Sequence, residues 1–278
     1  MPSKYWDESR AEKIRALQFE FAENTLRGKT VIVAGGTGGL GAATVALLAR
    51  EGARLVVGYR ANAERARALA HAVHEQFGAQ LTFVAGDIAD NAVRRTLVEV
   101  ARSSDAPLAG AAIFPGDPAR AAFDSLTAEQ MRASLDVNYV GPALLAKEIG
   151  AEMESQAEAA GAADGGGIVL LATMQAVGVF PGSMNYAAPK AALAHAARVL
   201  AATWRRVRVN VVAPGATIAG MAEASVSGGK YDAFVASGVI PRFGRPEDVA
   251  CAVRFFLEPD SYVTGQVLVA DGGLTIRH

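Results

Sequence analysis

The segment YAAPK holds a phenol and an ammonium, Tyr186 and Lys190, four residues apart. On a helix that spacing puts both side chains on one face, one turn from each other. A tyrosine titrates near pH ~10 in water and a neighbouring cation favours its phenolate, so the pair could serve as a general acid and base. Lys190 is therefore expected to lower the pKa of Tyr186. Pro189, between them, is expected within the first turn, where backbone N–H groups still lack partners. An ordinary solvated helix shows the same spacing, so its meaning depends on what the rest of the chain builds around it.

A second stretch with chemical potential is AGGTGGLGAAT, with glycines at 35, 36, 38, 39 and 41. It follows an apolar, β-branched run and opens a helical pattern. Glycines at such a junction permit a tight turn and let the backbone approach a pyrophosphate, while the helix N-terminus offers free N–H groups and a positive dipole end. The position points to a dinucleotide loop with Gly35, Thr37, Gly38, Gly39, Leu40 and Gly41 as contact residues. The next apolar run ends in VVGYRANAERA. An Asp or Glu usually stands there, about 20 residues past the loop, to bind a ribose 2′-hydroxyl. Tyr59 and Arg60 stand there instead, and a guanidinium suits a 2′-phosphate, so the expected cofactor is NADP(H).

These residues need a frame, and the patterning supplies one. Apolar runs recur as TVIVAG, ARLVVGY, QLTFVAG, LAGAAIF, GGIVLLAT, VRVNVVAP and GQVLVADGG. Ala-rich helical stretches at 39–51, 61–77, 91–103, 127–160, 186–204, 222–237 and 246–257 alternate with them. That alternation predicts an α/β fold: a Rossmann-type, doubly wound, seven-stranded parallel sheet with helices on both faces, in a single domain over 28–278. Its ligand crevice should lie at the strand carboxyl ends where the strand order reverses. Residues 1–27 precede the first strand, and Ile14, Leu17 and Phe21 fit one face of a helical extension.

Bulk properties narrow the partners. A net charge of −1 gives no basic surplus to attract phosphate backbones or anionic lipid, so neither nucleic acid nor membrane is expected. The one cysteine, Cys251, cannot form an internal disulfide and is expected as a small buried apolar residue in a reducing compartment. The charged N-terminus lacks the apolar core of a secretory signal, and no apolar run approaches the ~18 residues of a membrane helix, so the expected location is cytoplasmic. His71, His74 and His195 have no metal-motif context and read as solvated or structural. Asp271 reads as a turn residue.

Taken in order, these motifs resemble the short-chain dehydrogenases/reductases across residues 28–275. Their TGxxxGxG is similar to Ala34, Gly35, Gly39 and Gly41, with Ala for the usual Thr. Their adenine-contacting Asp matches Asp87, followed by Ile88, in AGDIAD, and their active-site Asn matches Asn138 in LDVNYVG. Their catalytic Ser, thirteen residues before the Tyr, falls on Thr173 in LLATMQ. Tyr186 and Lys190 occupy YxxxK. VAPGATIAG resembles the segment beside the nicotinamide, with Pro214, Gly215 and Thr217. The chain departs from the family in three places. NNAG is unrecognisable in LAGAAIFPGD, Thr replaces Ser, and Thr217 and Ala219 replace an aliphatic residue and a Thr.

The resemblance implies an NADP(H)-dependent oxidoreductase that interconverts a carbonyl and a secondary alcohol by hydride transfer, such as a 3-oxoacyl reductase or another ketone reductase. Tyr186 would be its acid/base and Lys190 would also hold the nicotinamide ribose. Asn138 would position a water linking Lys190 to solvent. Thr173 would donate to the substrate oxygen, its methyl narrowing the pocket. Homo-oligomers, tetramers or dimers, formed through the helices of 127–160 and 186–204 are implied as well. The least patterned stretch, 217–243, is expected to form a mobile lid that sets substrate range. Two other readings stay open: an NADP(H)-binding regulatory or scaffold protein without turnover, and an NAD-dependent alcohol dehydrogenase.

Overall fold

The computed structural model describes residues 23–220 and 223–277; the helix expected over residues 1–27 falls almost wholly outside them. Seven parallel strands form one sheet: β1 Thr30–Ala34, β2 Arg54–Tyr59, β3 Leu81–Ala85, β4 Leu108–Ile113, β5 Gly166–Leu171, β6 Val207–Pro214 and β7 Val267–Ala270, in the order β3-β2-β1-β4-β5-β6-β7. Each expected apolar run supplies one strand. β1, β5 and β6 are buried along their whole length, which is why they read as continuous apolar runs and not as alternations.

Both faces of the sheet are covered. Along β1, Val31 and Val33 join a cluster with Val45, Leu48, Val253 and Phe256, while Ile32 and Ala34 join an opposite one with Leu97, Leu145, Ile149 and Leu193. Successive side chains of a strand point to opposite faces, so one strand feeds both cores. The first core is roofed by α1 (Gly39–Arg50), α2 (Ala63–Phe77) and α9 (Pro246–Leu257). The second is roofed by α3 (Asn91–Arg102), α5 (Gly141–Ala159) and α6 (Met184–Thr203). The chain leaves β1 in both directions along the sheet, so a crevice opens between the carboxyl ends of β1 and β4.

Two expected helices are divided. The stretch 127–160 forms α4 (Ala128–Leu135), with a reciprocal Thr127–Gln130 cap, and α5, joined by a π-type turn over Asp136–Val140. Pro142 explains the turn: it has no N–H to give the Asn138 carbonyl, so the regular ladder fails there and a wider turn takes its place. The stretch 222–237 gives only α7 (Glu223–Ser227) and α8 (Asp232–Ala236), parted at Gly228 and Gly229, where Gly229 has φ +76°. A last short helix, α10, spans Leu274–Arg277.

Cys251 is exposed, against expectation. It lies two residues past Val249 on α9, turned away from the face that buries Val249, Val253 and Phe256 against the sheet. His71, His74 and His195 are exposed too, and Asp271 accepts from the N–H groups of Gly273 and Thr275 at a turn. No helix among the described residues is long and apolar enough to cross a membrane.

Candidate active site

The crevice opens into a cavity of about 680 Å³ whose walls include Leu40, Thr173, Tyr186, Pro214, Gly215 and Thr217. Tyr186 lies near the start of α6, and Thr173 follows β5, where its Oγ1 accepts from the Gln175 N–H at 3.3 Å and so caps a short turn over Met174–Ala176. The sequence-predicted pair thus faces one space. Burial pushes the Tyr186 phenol up to about 12, with the neighbouring Thr173 hydroxyl opposing the rise and the charge of Asp117 adding to it.

Lys190 is fully buried one turn further along α6. Its Nζ donates to the Leu171 carbonyl at 3.0 Å and the Pro115 carbonyl at 3.3 Å. Burial pulls its pKa down to about 7, so the expectation that its ammonium lowers the Tyr186 pKa is not met. The spacing brought the two groups to one face as predicted. It carried no information about dehydration, which favours the neutral form of each.

Asn138 is buried at the centre of the π-type turn, and its amide is fully committed. Its Oδ1 accepts from the Asp117 N–H at 3.0 Å, and its Nδ2 donates to Asp117 O at 3.0 Å and to Ser134 Oγ at 3.2 Å. Asn138 and Lys190 meet around Gly116: a Cβ added there would lie 2.9 Å from Asn138 Oδ1 and 3.0 Å from Lys190 Nζ. The PGD segment after β4, in which no NNAG is recognisable, therefore does supply contacts to the site. It does so with backbone: the Pro115 carbonyl for Lys190, a side-chain-free Gly116, and both peptide groups of Asp117 for Asn138.

Ser134 escaped the sequence reading. Its hydroxyl donates to the Asn185 carbonyl, which Pro189 leaves without its helical partner. Since α6 begins at Met184, Pro189 is its sixth residue, beyond the first-turn position expected for it, and the missing N–H is one the helix would have used. Asn185 Nδ2 donates to Ala119 O at 3.0 Å. The signal that could have found this was the proline itself, which implies an orphaned carbonyl four residues back.

The nucleotide side is set by the loop after β1. Gly35 has φ +76°, and a Cβ on Gly41 would fall 2.3 Å from Gly35 O, so the turn is closed by backbone against backbone. At Gly38 an added Cβ meets nothing nearer than 3.5 Å, and no side chain caps α1, leaving the N–H groups of its first turn directed outward. This cradle fits a pyrophosphate. Arg60 and Asp87 are exposed at the ends of β2 and β3, Tyr59 is half-buried against Phe83, and Ile88 is buried in a turn that Arg94 braces through Ile88 O at 2.8 Å. Thr37 belongs to the same loop. Thr217 is buried and its hydroxyl donates to Gly215 O at 3.1 Å.

The parallel strand order and the uncapped glycine turn define a Rossmann-like α/β fold. The family profile described as enoyl-(acyl carrier protein) reductase matches residues 34–275. An uncharacterised oxidoreductase of Methylorubrum extorquens is 33% identical, with 90% of this chain and 98% of that protein covered. The 3beta-hydroxysteroid dehydrogenase 1 of Eggerthella lenta is 31% identical over 90% and 95%. Among solved structures, a short-chain dehydrogenase from Burkholderia cenocepacia in complex with NADP superposes with a TM-score of 0.77 at 32% identity, over 90% of this chain and 99% of the other. The chain belongs to the short-chain dehydrogenase/reductase family of oxidoreductases.

Proposed function

We propose that the protein is an NADP(H)-dependent reductase that interconverts a ketone and a secondary alcohol, with Tyr186 as its acid and base. The observation that carries this is the pair of hydroxyl-bearing residues, Thr173 and Tyr186, in the wall of one cavity with the buried Lys190 a helical turn behind Tyr186. Gly35, Thr37, Gly38, Gly39, Leu40 and Gly41 would hold the pyrophosphate, Tyr59 and Arg60 the 2′-phosphate, and Asp87 and Ile88 the adenine. Pro214, Gly215 and Thr217 would flank the nicotinamide, whose chemistry when bound is to give or take the hydride.

The chain's own residues handle the proton. With a pKa of about 12, Tyr186 keeps its proton across the neutral range, which suits a donor to a carbonyl oxygen as negative charge develops there. Thr173 Oγ1 offers a second donor to the same oxygen, and its methyl narrows the space beside it. Lys190, near pH 7 in pKa, can pass a proton inward, and Asn138 fixes the backbone around it. The NADP bound by the Burkholderia relative supports the choice of cofactor. Self-association as a dimer or tetramer and a cytoplasmic location belong to the same reading.

The test is NADPH oxidation by the purified protein over a panel of ketones. Wild type should turn over at least one, and Tyr186→Phe should lower kcat by roughly 10²–10⁴-fold while NADPH still binds. Equal rates for both proteins would overturn the assignment.

A further inference from the structure

Tyr186 hangs from a peptide unit that is held at both ends. The C=O of Asn185 and the N–H of Tyr186 lie in one plane, because the bond between them has partial double-bond character. The N–H donates to Ser183 O at 2.9 Å. The C=O would ordinarily accept from residue 189, four positions on, but that residue is a proline and has no N–H. The carbonyl is taken instead by Ser134 Oγ of α4, 51 residues earlier in the chain.

The neighbours of Ser134 fix the direction of that bond. The Asp117 N–H can only donate, so the Asn138 atom 3.0 Å from it is the amide oxygen, and the amide nitrogen Nδ2 lies 3.2 Å from Ser134 Oγ. With its oxygen accepting from Asn138, the serine has its one proton left for the Asn185 carbonyl. Ser134 is buried, so water does not compete for either bond. Asn185 is tied a second time through Nδ2, to Ala119 O at 3.0 Å, but that bond holds its side chain and the serine holds its peptide. The space beside them is open: Ser134 and Asn185 both line an adjoining cavity of about 330 Å³, so a peptide released by the serine has room to turn.

We propose that Ser134 is a positioning residue: by holding the Asn185 carbonyl, it sets the peptide plane from which the Tyr186 side chain reaches the reacting oxygen. The proposal rests on the reductase reading above, in which Tyr186 gives its proton to the carbonyl oxygen. Ser134 touches neither substrate nor cofactor in that reading and exchanges no proton with them; it acts through geometry alone. A small turn of the peptide plane is enlarged at the far end of a tyrosine, and a misplacement of about 1 Å costs up to roughly 100-fold in rate. The two residues form one device. Pro189 opens the carbonyl and Ser134 closes it, so the serine is required because residue 189 is proline.

The experiment measures ketone reduction by the full-length protein, by Ser134→Ala, by Pro189→Ala and by the double variant. Ser134→Ala should lower kcat roughly tenfold or more, with KM for ketone and NADPH within about twofold of wild type. The double variant should recover most of the kcat of Pro189→Ala, since an N–H at residue 189 again satisfies the carbonyl. If Ser134→Ala does not fold, Ser134→Cys keeps a weak donor of similar size and should show a smaller loss with the same recovery. An unchanged kcat, a loss confined to KM, or a loss that alanine at 189 does not relieve overturns the proposal and leaves the reductase reading standing. NMR of the Tyr186 phenol carbon, assigned with Tyr186→Phe, separates the two claims without turnover. A resonance moved by Ser134→Ala and returned in the double variant keeps the positioning role, and if no ketone is then reduced by wild type the reductase reading alone falls. A resonance that Ser134→Ala leaves in place sinks the positioning role whatever the ketone assay shows.

Discussion

On the nucleotide side of Tyr186 the cleft is made of backbone. Gly35 holds φ +76°, Gly41 leaves no room for a Cβ against Gly35 O, and the first turn of α1 is uncapped by any side chain. On the substrate side it is made of cross-links between loops far apart in sequence. Asn138 joins Asp117, Ser134 joins Asn185, Asn185 joins Ala119, and Lys190 joins Pro115, over separations of 21, 51, 66 and 75 residues. The first kind of construction is a steric demand that a single residue type satisfies. The second is a set of pairings that several residue types could make, so this half is freer to change while the sheet below it stays the same.

The contrast predicts unequal tolerance. Gly41→Ala puts a Cβ 2.3 Å from a carbonyl oxygen and 2.8 Å from Gly36 Cα, and neither is the end of a flexible side chain. The loop must shift, at a cost of about 3 kcal/mol or more in stability, and NADPH affinity should fall by roughly 100-fold. Chemical denaturation and fluorescence titration of NADPH would measure the two effects. A variant that binds NADPH as wild type does would break the claim that this half is set by backbone.

Lys190→Met tests the deepest charge of the other half. With a folded pKa of about 7 against an ordinary 10.5, the charged form of Lys190 destabilises the fold. That penalty is complete below about pH 7. It fades as pH rises from 7 to 10.5, the window in which only the unfolded chain still holds the proton. The variant should therefore be more stable than wild type at pH 6, by on the order of 3 kcal/mol once the two lost hydrogen bonds are offset, with the gap closing towards pH 10. Tyr186, raised to about 12, contributes stability that is lost only between about pH 10 and 12, so it leaves this window undisturbed. A gap that does not change between pH 6 and 9.5 would mean that Lys190 is not the titrating group.

Ser134→Ala reaches the same network from α4. It strips the donor from the Asn185 carbonyl, whose helical partner Pro189 cannot supply, and it removes one acceptor of Asn138. An unsatisfied buried carbonyl costs about 1–3 kcal/mol. The loss should be smaller in a Pro189→Ala background, where residue 189 regains an N–H to offer Asn185, and a double-mutant cycle by denaturation measures that coupling. Additive losses would show that the serine and the proline are unrelated.

The same division governs what the sequence discloses. All seven strands were legible as apolar runs, which full burial explains for β1, β5 and β6 though β3 and β7 are only partly buried, and the glycine loop because its sterics admit little else. Tyr186 and Thr173 do face one cavity, as the helical register and the strand end imply. The segment from Pro115 to Asp117 was not legible, since it works through peptide groups that every residue carries. Pro142 and the Gly228–Gly229 pair were visible breaks that helical periodicity outweighed in the reading. For Cys251 residue type suggested burial, whereas its place on α9 two residues past Val249 decided exposure.

Arg60 marks the limit of the contrast, because on the backbone-built side it is, with Tyr59, Asp87 and Ile88, assigned a role through its side chain. It stands exposed at the end of β2, beside a Tyr59 held edge-on to Phe83 with ring centres 6.0 Å apart. No acid occupies the place that would bind a free 2′-hydroxyl, so preference for the phosphorylated cofactor should rest on this guanidinium. An exposed charge-assisted contact is worth about 1–1.5 kcal/mol, which converts to roughly a tenfold change. Arg60→Ala should raise the KM for NADPH about tenfold, leave that for NADH within about twofold, and flatten the salt dependence of the NADPH reaction. Steady-state rates with each cofactor at two ionic strengths decide it. If both cofactors lose affinity equally, Arg60 supports the loop and does not read the phosphate, and the choice between NADP and NAD must come from elsewhere on this side of the cleft.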